Sequence, residues 1–338
     1  MVSTEMSFRV DDFQDRFAAH FECAAKLFNG SVYSTMKSIM CIVAICFATT
    51  FCQSAFAQRE RPLTPIAAKL EPSRFETYKT VEDRELRLHI FEPEELKKSD
   101  QRPVFLVIHG GGWTGGNPRS FYPMADHFAQ RGMLAISLEY RFMNRKQGTT
   151  VFDCVEDARD AVRYLRKNAE RLKIDPNRIV VAGASAGGHL ALSTSMFDTL
   201  MPDRFNKNEP EEKTSSRANA LVLLYPVIDT SEEGYGQKKI GERWRELSPV
   251  HSIKELKSDM PPTILFHGTG DTVTPYAGAA EFHRLMEEKG NQCELISHQN
   301  GVHGYLIFDI DLYNAGIIRI ENFLTEQMMI EPIVLKRP

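Results

Sequence analysis

The sequence predicts a single α/β domain, and three features carry the prediction. Short apolar runs alternate with helix-patterned stretches over most of the chain. Two of those runs, VFLVIH (104–109) and LVLLY (221–225), are almost continuously apolar, as strands buried on both faces are. The first two runs, RFETYKT and LRLHIFEP, are more polar and closely spaced, which suits an antiparallel start at one edge of a sheet. Strand–helix alternation after such a start implies a mostly parallel sheet flanked by helices.

Eight strands are expected, over 74–80, 86–91, 104–109, 134–140, 179–183, 221–225, 263–267 and 292–297. Between the later ones lie helices. VFDCVEDARDAVRYLRKNAERL carries apolar residues at Val151, Val155, Ala158, Val162 and Leu165, a helical spacing. Asp153, Glu156 and Asp157 fall in its first turn, where carboxylates favour the helix dipole, so they read as capping, solvated groups. AGAAEFHRLMEEKG stops on Gly290 as a helix should, and DLYNAGIIRIENFLTEQM closes the domain. Two segments break the alternation, 197–219 and 230–260. Both are long and polar, which marks excursions beside a binding site.

The N-terminus follows a different pattern. From Met36 the chain reads MKSIMCIVAICFATTFCQSAFAQRERP, with one cation at Lys37, an apolar core over 39–51 and Ala55-Phe56-Ala57 before Gln58. That is the charged, apolar and small-residue order of a secretory signal peptide. The apolar core is shorter than the roughly 20 residues a membrane-spanning helix needs. The expected organisation is therefore an upstream extension or mis-set start (1–35), a signal peptide (36–57), a linker (58–73), a catalytic domain (74–329) and a C-terminal tail (330–338). Export, to the periplasm or beyond, follows, with no stable membrane association after cleavage; an uncleaved N-terminal anchor is the alternative. Four of the six cysteines lie upstream of Gln58, leaving Cys154 and Cys293 in the domain. Two cysteines make no disulfide framework, and each reads as a small buried hydrophobe.

With 338 residues, 42% hydrophobic and 25% charged, the composition is that of an ordinary globular enzyme. The formal net charge of -4 argues against a nucleic-acid partner, since no basic excess is present to release phosphate counterions. No spacing among the ten histidines suggests a metal site.

The chemistry is carried by four short motifs. Gly183-Ala184-Ser185-Ala186-Gly187 matches G-x-S-x-G between a strand and a helix, the context that motif requires. Glycine at both flanks lets the turn close tightly and lifts the Ser185 hydroxyl above the sheet. HGGGW, His109 to Trp113, follows the third strand, and its glycines can turn backbone N–H groups into a cleft. Gly111 and Gly112, with Ala186, are the expected oxyanion donors, each typically worth ~3–4 kcal/mol in an acyl-transfer transition state.

A serine hydroxyl needs a base, and the base a carboxylate. ILFHGTGDTVTP places Asp271 after the seventh strand and SHQNGVHGYL places His303 after the eighth. The order Ser, Asp, His is the one this arrangement expects. His298 competes as base from a strand end, His267 reads as a structural histidine, and His189 as helix packing or a local hydrogen bond. Asp259 is the weaker acid because it precedes the seventh strand. Trp113, Tyr225 and Tyr276 are expected at the pocket wall from their loop positions.

With HGGGW, GASAGGHL, HGTGD and GVHG in this order, the chain resembles the α/β-hydrolase superfamily, esterase/lipase branch, over about residues 74–327. Stretches such as DARDAVRYLRKNA, IDPNRIVVAGASAGGHLA and LSPV look closest to bacterial acetyl- and feruloyl-esterase-like enzymes, similar to hormone-sensitive-lipase-type esterases without a large cap. Ala184 stands where hormone-sensitive-lipase-type members usually carry Asp, which favours the acetyl-esterase-like branch. The resemblance implies an eight-stranded hydrolase fold and a Ser185, Asp271, His303 triad. It further implies hydrolysis of short-chain, chiefly acetyl, esters as small molecules or on polysaccharides, with no cofactor. An arylformamidase- or peptidase-like amide hydrolase is the rival on the same fold. A non-catalytic binding protein is the rival from another class.

Overall fold

The computed structural model describes residues 61–94, 101–197, 214–255 and 259–332. The signal-peptide reading, the 1–35 extension, most of the 197–219 excursion and the end of the C-terminal tail lie outside them.

Eight strands form one sheet: β1 Arg74–Val81, β2 Arg84–Phe91, β3 Arg102–Ile108, β4 Leu134–Leu138, β5 Ile174–Ala184, β6 Ala220–Leu224, β7 Thr263–Gly268 and β8 Cys293–His298. Their spatial order is β1-β2-β4-β3-β5-β6-β7-β8. The pairs β1–β2 and β2–β4 are antiparallel and every later pair is parallel. All residues of β3, β4, β6 and β7 are buried, as their unbroken apolar runs require. β5 begins five residues earlier than the sequence suggests, because Ile174 pairs with Arg102 ahead of a register shift.

Six helices matter for the site: α1 Leu63–Ala67, α2 Tyr122–Gln130, α3 Val151–Lys167, α4 Ala186–Met196, α5 Tyr276–Glu288 and α6 Ile310–Glu326. The buried residues of α3, α4 and α5 join one hydrophobic cluster with the sheet, and those of α2 and α6 join a second. Every residue of α4 is buried, which explains its lack of a polar face. No described helix is long and apolar enough to cross a membrane. Among the described residues no large domain is inserted as a cap, and the α/β-hydrolase architecture accounts for the whole sheet.

Two expectations need correction. The 58–73 stretch read as a linker contains α1, whose Leu63 and Ala67 are buried, and contacts bring the described residues from Arg61 onward into one unit. Asp157 is not a solvated group of a first turn. Its side chain is fully buried, accepts from the Arg141 backbone N–H at 2.9 Å and pairs with Arg141 at 2.8 Å and Lys79 Nζ at 2.9 Å. Helical spacing places it on the inner face, beside Ala158, where only a paired charge is tolerated. Asp153 does cap α3, accepting from the Thr150 backbone N–H at 2.7 Å. Cys154 and Cys293 are buried and free.

Candidate active site

Parallel strands end on the same edge of a sheet, so the loops after β3, β5, β7 and β8 converge. Ser185 occupies the β5–α4 junction with φ 55° and ψ −121°, a positive φ rare for a residue with a side chain. Three backbone hydrogen bonds impose it: Ser185 N–H donates to Leu224 O at 2.9 Å, and Ser185 O accepts from His189 N–H and Val227 N–H, each at 3.1 Å. The flanking glycines are obligatory. A Cβ on Gly183 would strike Gly187 O, and one on Gly187 would strike Ile108 O and His109 O.

The Ser185 hydroxyl lies 2.9 Å from His303 Nε2, and His303 Nδ1 lies 2.8 Å from Asp271 Oδ2. With Nδ1–H donated to the carboxylate, Nε2 is left as acceptor for the hydroxyl. Asp271 is filled on all sides. Its Oδ1 accepts from Val273 N–H at 2.9 Å and Thr274 N–H at 2.8 Å, and its Oδ2 also accepts from the Thr274 hydroxyl at 2.9 Å. Burial works to raise the Asp271 pKa, but the His303 hydrogen bond and charge and the two backbone N–H groups outweigh it, holding the carboxyl below its ordinary value.

The glycine loop after β3 packs against the serine. A Cβ on Gly110 would stand 3.1 Å from Ser185 Cβ. Gly111 and Gly112 have φ of 122° and 60°, and neither their N–H groups nor that of Ala186 donates to a protein acceptor. Gly111 and Gly112 line the space before Ser185 and Ala186 follows it in the chain, so these three N–H groups are the ones left to meet an oxyanion there. The loop is braced from behind: His109 Nδ1–H donates to Gly110 O at 2.7 Å, Tyr140 OH donates to His109 O at 3.1 Å, and the two rings stack at 4.6 Å. Burial pushes the His109 pKa down to about 4, so its ring is neutral.

The open space before Ser185 is a cleft of about 540 Å³. Its walls include Tyr225, Tyr235, Val273, Ile307, Phe308 and Arg61. Of the three aromatic residues expected there, only Tyr225 lines it, with its ring edge-on to His303 at 5.1 Å. Trp113 is fully buried behind the glycine loop, edge-on to His189 at 5.1 Å, where it serves as a core anchor. Tyr276 is not among the residues lining the cleft and shares a hydrogen bond with Ser297 Oγ at 2.6 Å. Their loop positions were compatible with either fate; side-chain direction decided.

The remaining histidines separate cleanly. His267 Nε2–H donates to Thr274 O at 2.7 Å and is structural. His298 stacks on Tyr305 at 4.7 Å. His189 Nε2–H donates at 2.7 Å to Leu247 O, a long-range tie between α4 and the 230–260 excursion. Asp259 pairs with Arg217. Sequence reasoning missed Thr274, whose only signal was its place in the DTVTP turn. It also missed α1, Tyr235 and Lys239. Lys239 Nζ, from the polar excursion, donates to Gly112 O at 3.0 Å and to Tyr235 OH at 2.7 Å.

Comparison with known proteins places these features in context. The BD-FAE family matches residues 88–286. The chain is 35% identical to Thermogutta terrifontis esterase 2 phosphorylated by paraoxon, with a TM-score of 0.69, covering 77% of this chain and 96% of that one. The same esterase with butyrate bound gives a TM-score of 0.70 at the same identity and coverage. The probable carboxylic ester hydrolase LipM of Mycobacterium tuberculosis is 26% identical over 262 residues, covering 71% of this chain and 58% of that protein. Endo-1,4-beta-xylanase B of Butyrivibrio fibrisolvens is 28% identical over 222 residues, covering 64% of this chain and 34% of that protein. The chain thus spans between a third and three-fifths of the length of these two relatives.

Proposed function

Because the chain belongs to the BD-FAE family of the α/β-hydrolase superfamily, we propose that it is a serine esterase that hydrolyses short-chain carboxylic esters, acetyl esters above all, including those on polysaccharides. The observation that carries this reading is the continuous Ser185–His303–Asp271 relay, 2.9 Å and 2.8 Å long, beside three N–H groups without protein acceptors.

In the first step His303 Nε2 takes the Ser185 proton as Oγ attacks the ester carbonyl. Asp271 fixes the imidazole tautomer and stabilises the imidazolium. The Gly111, Gly112 and Ala186 N–H groups receive the oxyanion. His303 then gives its proton to the departing alcohol. In the second step it activates water, which releases the acid from the acyl-enzyme. All proton transfers use this one imidazole.

The propionate- and butyrate-bound forms of the Thermogutta terrifontis esterase support a short acyl group. The likeness to a xylanase chain supports a glycan as the alcohol half. Initial rates on p-nitrophenyl esters of increasing acyl length, with acetate release from acetylated xylan, test both parts. Acetyl turnover that falls with chain length, plus acetate from the polymer, is the expected result. Preference for medium chains with no acetate released would remove the acetyl and polysaccharide parts. Paraoxon should add one diethylphosphoryl group, at Ser185, and abolish turnover.

The segment 36–57 supports export of this enzyme. N-terminal sequencing of protein recovered from the expressing cell's exterior or periplasm should begin at Gln58; recovery of an intact Met36 segment would replace secretion by anchoring.

A further inference from the structure

A second cleft, of about 330 Å³, adjoins the catalytic one and is lined by Arg145, Lys239 and Arg243 with Thr149, Phe152 and Ile240. Its volume is within the range of small-ligand sites. No carboxylate is among the residues lining either cleft. Arg243 is held by Glu246 and lies 4.5 Å above the Phe152 ring. Arg145 and Lys239 have no ion pair with any described residue: Arg145 bonds to the Lys238 carbonyl, and Lys239 Nζ to Gly112 O and Tyr235 OH. Arg145 and Lys239, neither of them ion-paired, thus both line one concavity over an apolar floor of Phe152 and Ile240, with the Lys239 ammonium at the end nearest Gly112 and Tyr235. Cations converging without counter-charges favour an anion, and their shared field persists within a Debye length.

Lys239 joins this cleft to the catalytic one. Its ammonium touches Gly112, which with Tyr235 lines the space before Ser185. A group bound against Arg145 and Lys239 therefore lies next to the Gly112 and Tyr235 edge of the space before Ser185, the side from which a substituent on the ester can reach it.

We propose that this second cleft is a subsite for an anionic group, carboxylate or sulfate, on the alcohol half of the ester, as in an acetylated acidic glycan. The proposal rests on the esterase reading. The apolar floor would accept a sugar face while the two cations hold its charged substituent, so the charge selects the alcohol and leaves the acyl group free.

The test compares kcat/KM of the full chain on four substrates: an acetylated methyl glucuronoside, its neutral methyl ester, an acetylated 6-sulfated methyl glucoside and p-nitrophenyl acetate. The uronate or the sulfated sugar should exceed the neutral methyl ester by about tenfold, the difference one charged hydrogen bond typically makes. Whichever of the two leads identifies the anion. Arg145→Gln should bring the preferred anionic substrate toward the neutral one while p-nitrophenyl acetate is hydrolysed at the unaltered rate. Arg243→Gln, which removes the third cation lining the cleft, should do the same to a smaller extent. Equal rates on charged and neutral sugars would overturn the subsite, as would a preference that survives both substitutions. Failure to hydrolyse any of the four, p-nitrophenyl acetate included, would overturn the esterase reading and the subsite together.

Discussion

Thr274 closes off the Asp271 carboxylate, giving its hydroxyl to Oδ2 at 2.9 Å and its backbone N–H to Oδ1 at 2.8 Å. The same hydroxyl lies 3.1 Å from His303 Nδ1, so a residue that never meets substrate fixes the carboxylate against the imidazole. Thr274→Val keeps the backbone bond and the volume. It should lower kcat by roughly fivefold, about 1 kcal/mol, with KM unchanged. A rise in KM at constant kcat would show that Thr274 acts on substrate binding instead.

Ser185→Gly should abolish ester turnover and yet stabilise the protein. The φ of 55° is costly for serine and free for glycine, and such strain is worth about 1 kcal/mol or more. Chemical denaturation of the two proteins checks it, and a variant less stable than the parent would remove the claim of strain. Asp271→Asn should retain the fold while kcat falls by about 10⁴, through the wrong imidazole tautomer.

Gly187→Ala places a methyl against the Ile108 and His109 carbonyls, which belong to a strand end and cannot retreat. A loss of about 3 kcal/mol in folding stability is expected, with the midpoint of thermal unfolding lowered to match. A stability within experimental error of the parent would mean that β3 and α4 can separate.

Asp157→Asn breaks a buried charge pairing with Arg141 and Lys79, leaving two cations facing a neutral amide. Removing one member of such a set typically costs about 3–5 kcal/mol. Asp153→Asn, at the half-buried cap of the same helix where the contact to Arg141 is longer at 3.3 Å, should cost only about 1 kcal/mol. Equal losses would place both carboxylates in the same environment.

Burial lowers His109 and His189 to about 4, below the ordinary histidine value of 6.5. Below pH 6.5 the unfolded chain binds a proton at each while the folded chain stays neutral, so stability falls with acidity through the interval from 6.5 to 4. At full extent each ring contributes about 3 kcal/mol of that loss. Urea midpoints measured at pH 7 and pH 5 should differ in this direction. Identical midpoints would mean that both rings are protonated in the folded protein.

Much of the site was legible in the chain. Ser185 and the loop at 109–113 sit in runs where only small residues fit, and the requirement for glycine is local. Asp271 and His303 were legible for a different reason. Parallel strands must send their loops to one edge, so residues directly after β7 and β8 can meet the serine however far apart they lie in sequence. The apolar runs that form the sheet were equally plain, because burial on both faces removes the polar residues that would otherwise interrupt them.

What the tertiary structure alone decided is which way side chains point and what they meet. Trp113 and Tyr225 each lie beside a site motif, yet one packs inward behind the glycine loop and the other lines the cleft. Asp153 and Asp157 lie one turn apart on the same helix and both reach Arg141, but Asp157 is fully buried between Arg141 and Lys79 while half-buried Asp153 caps the helix end. Arg61, Lys239 and Arg145 come from separate segments with no shared pattern, and only folding brings their charges to the rims of two adjoining clefts. Periodicity and glycine content are properties of neighbouring residues, so a sequence displays them directly. A contact between distant segments depends on how every element between them packs, and no local pattern encodes it.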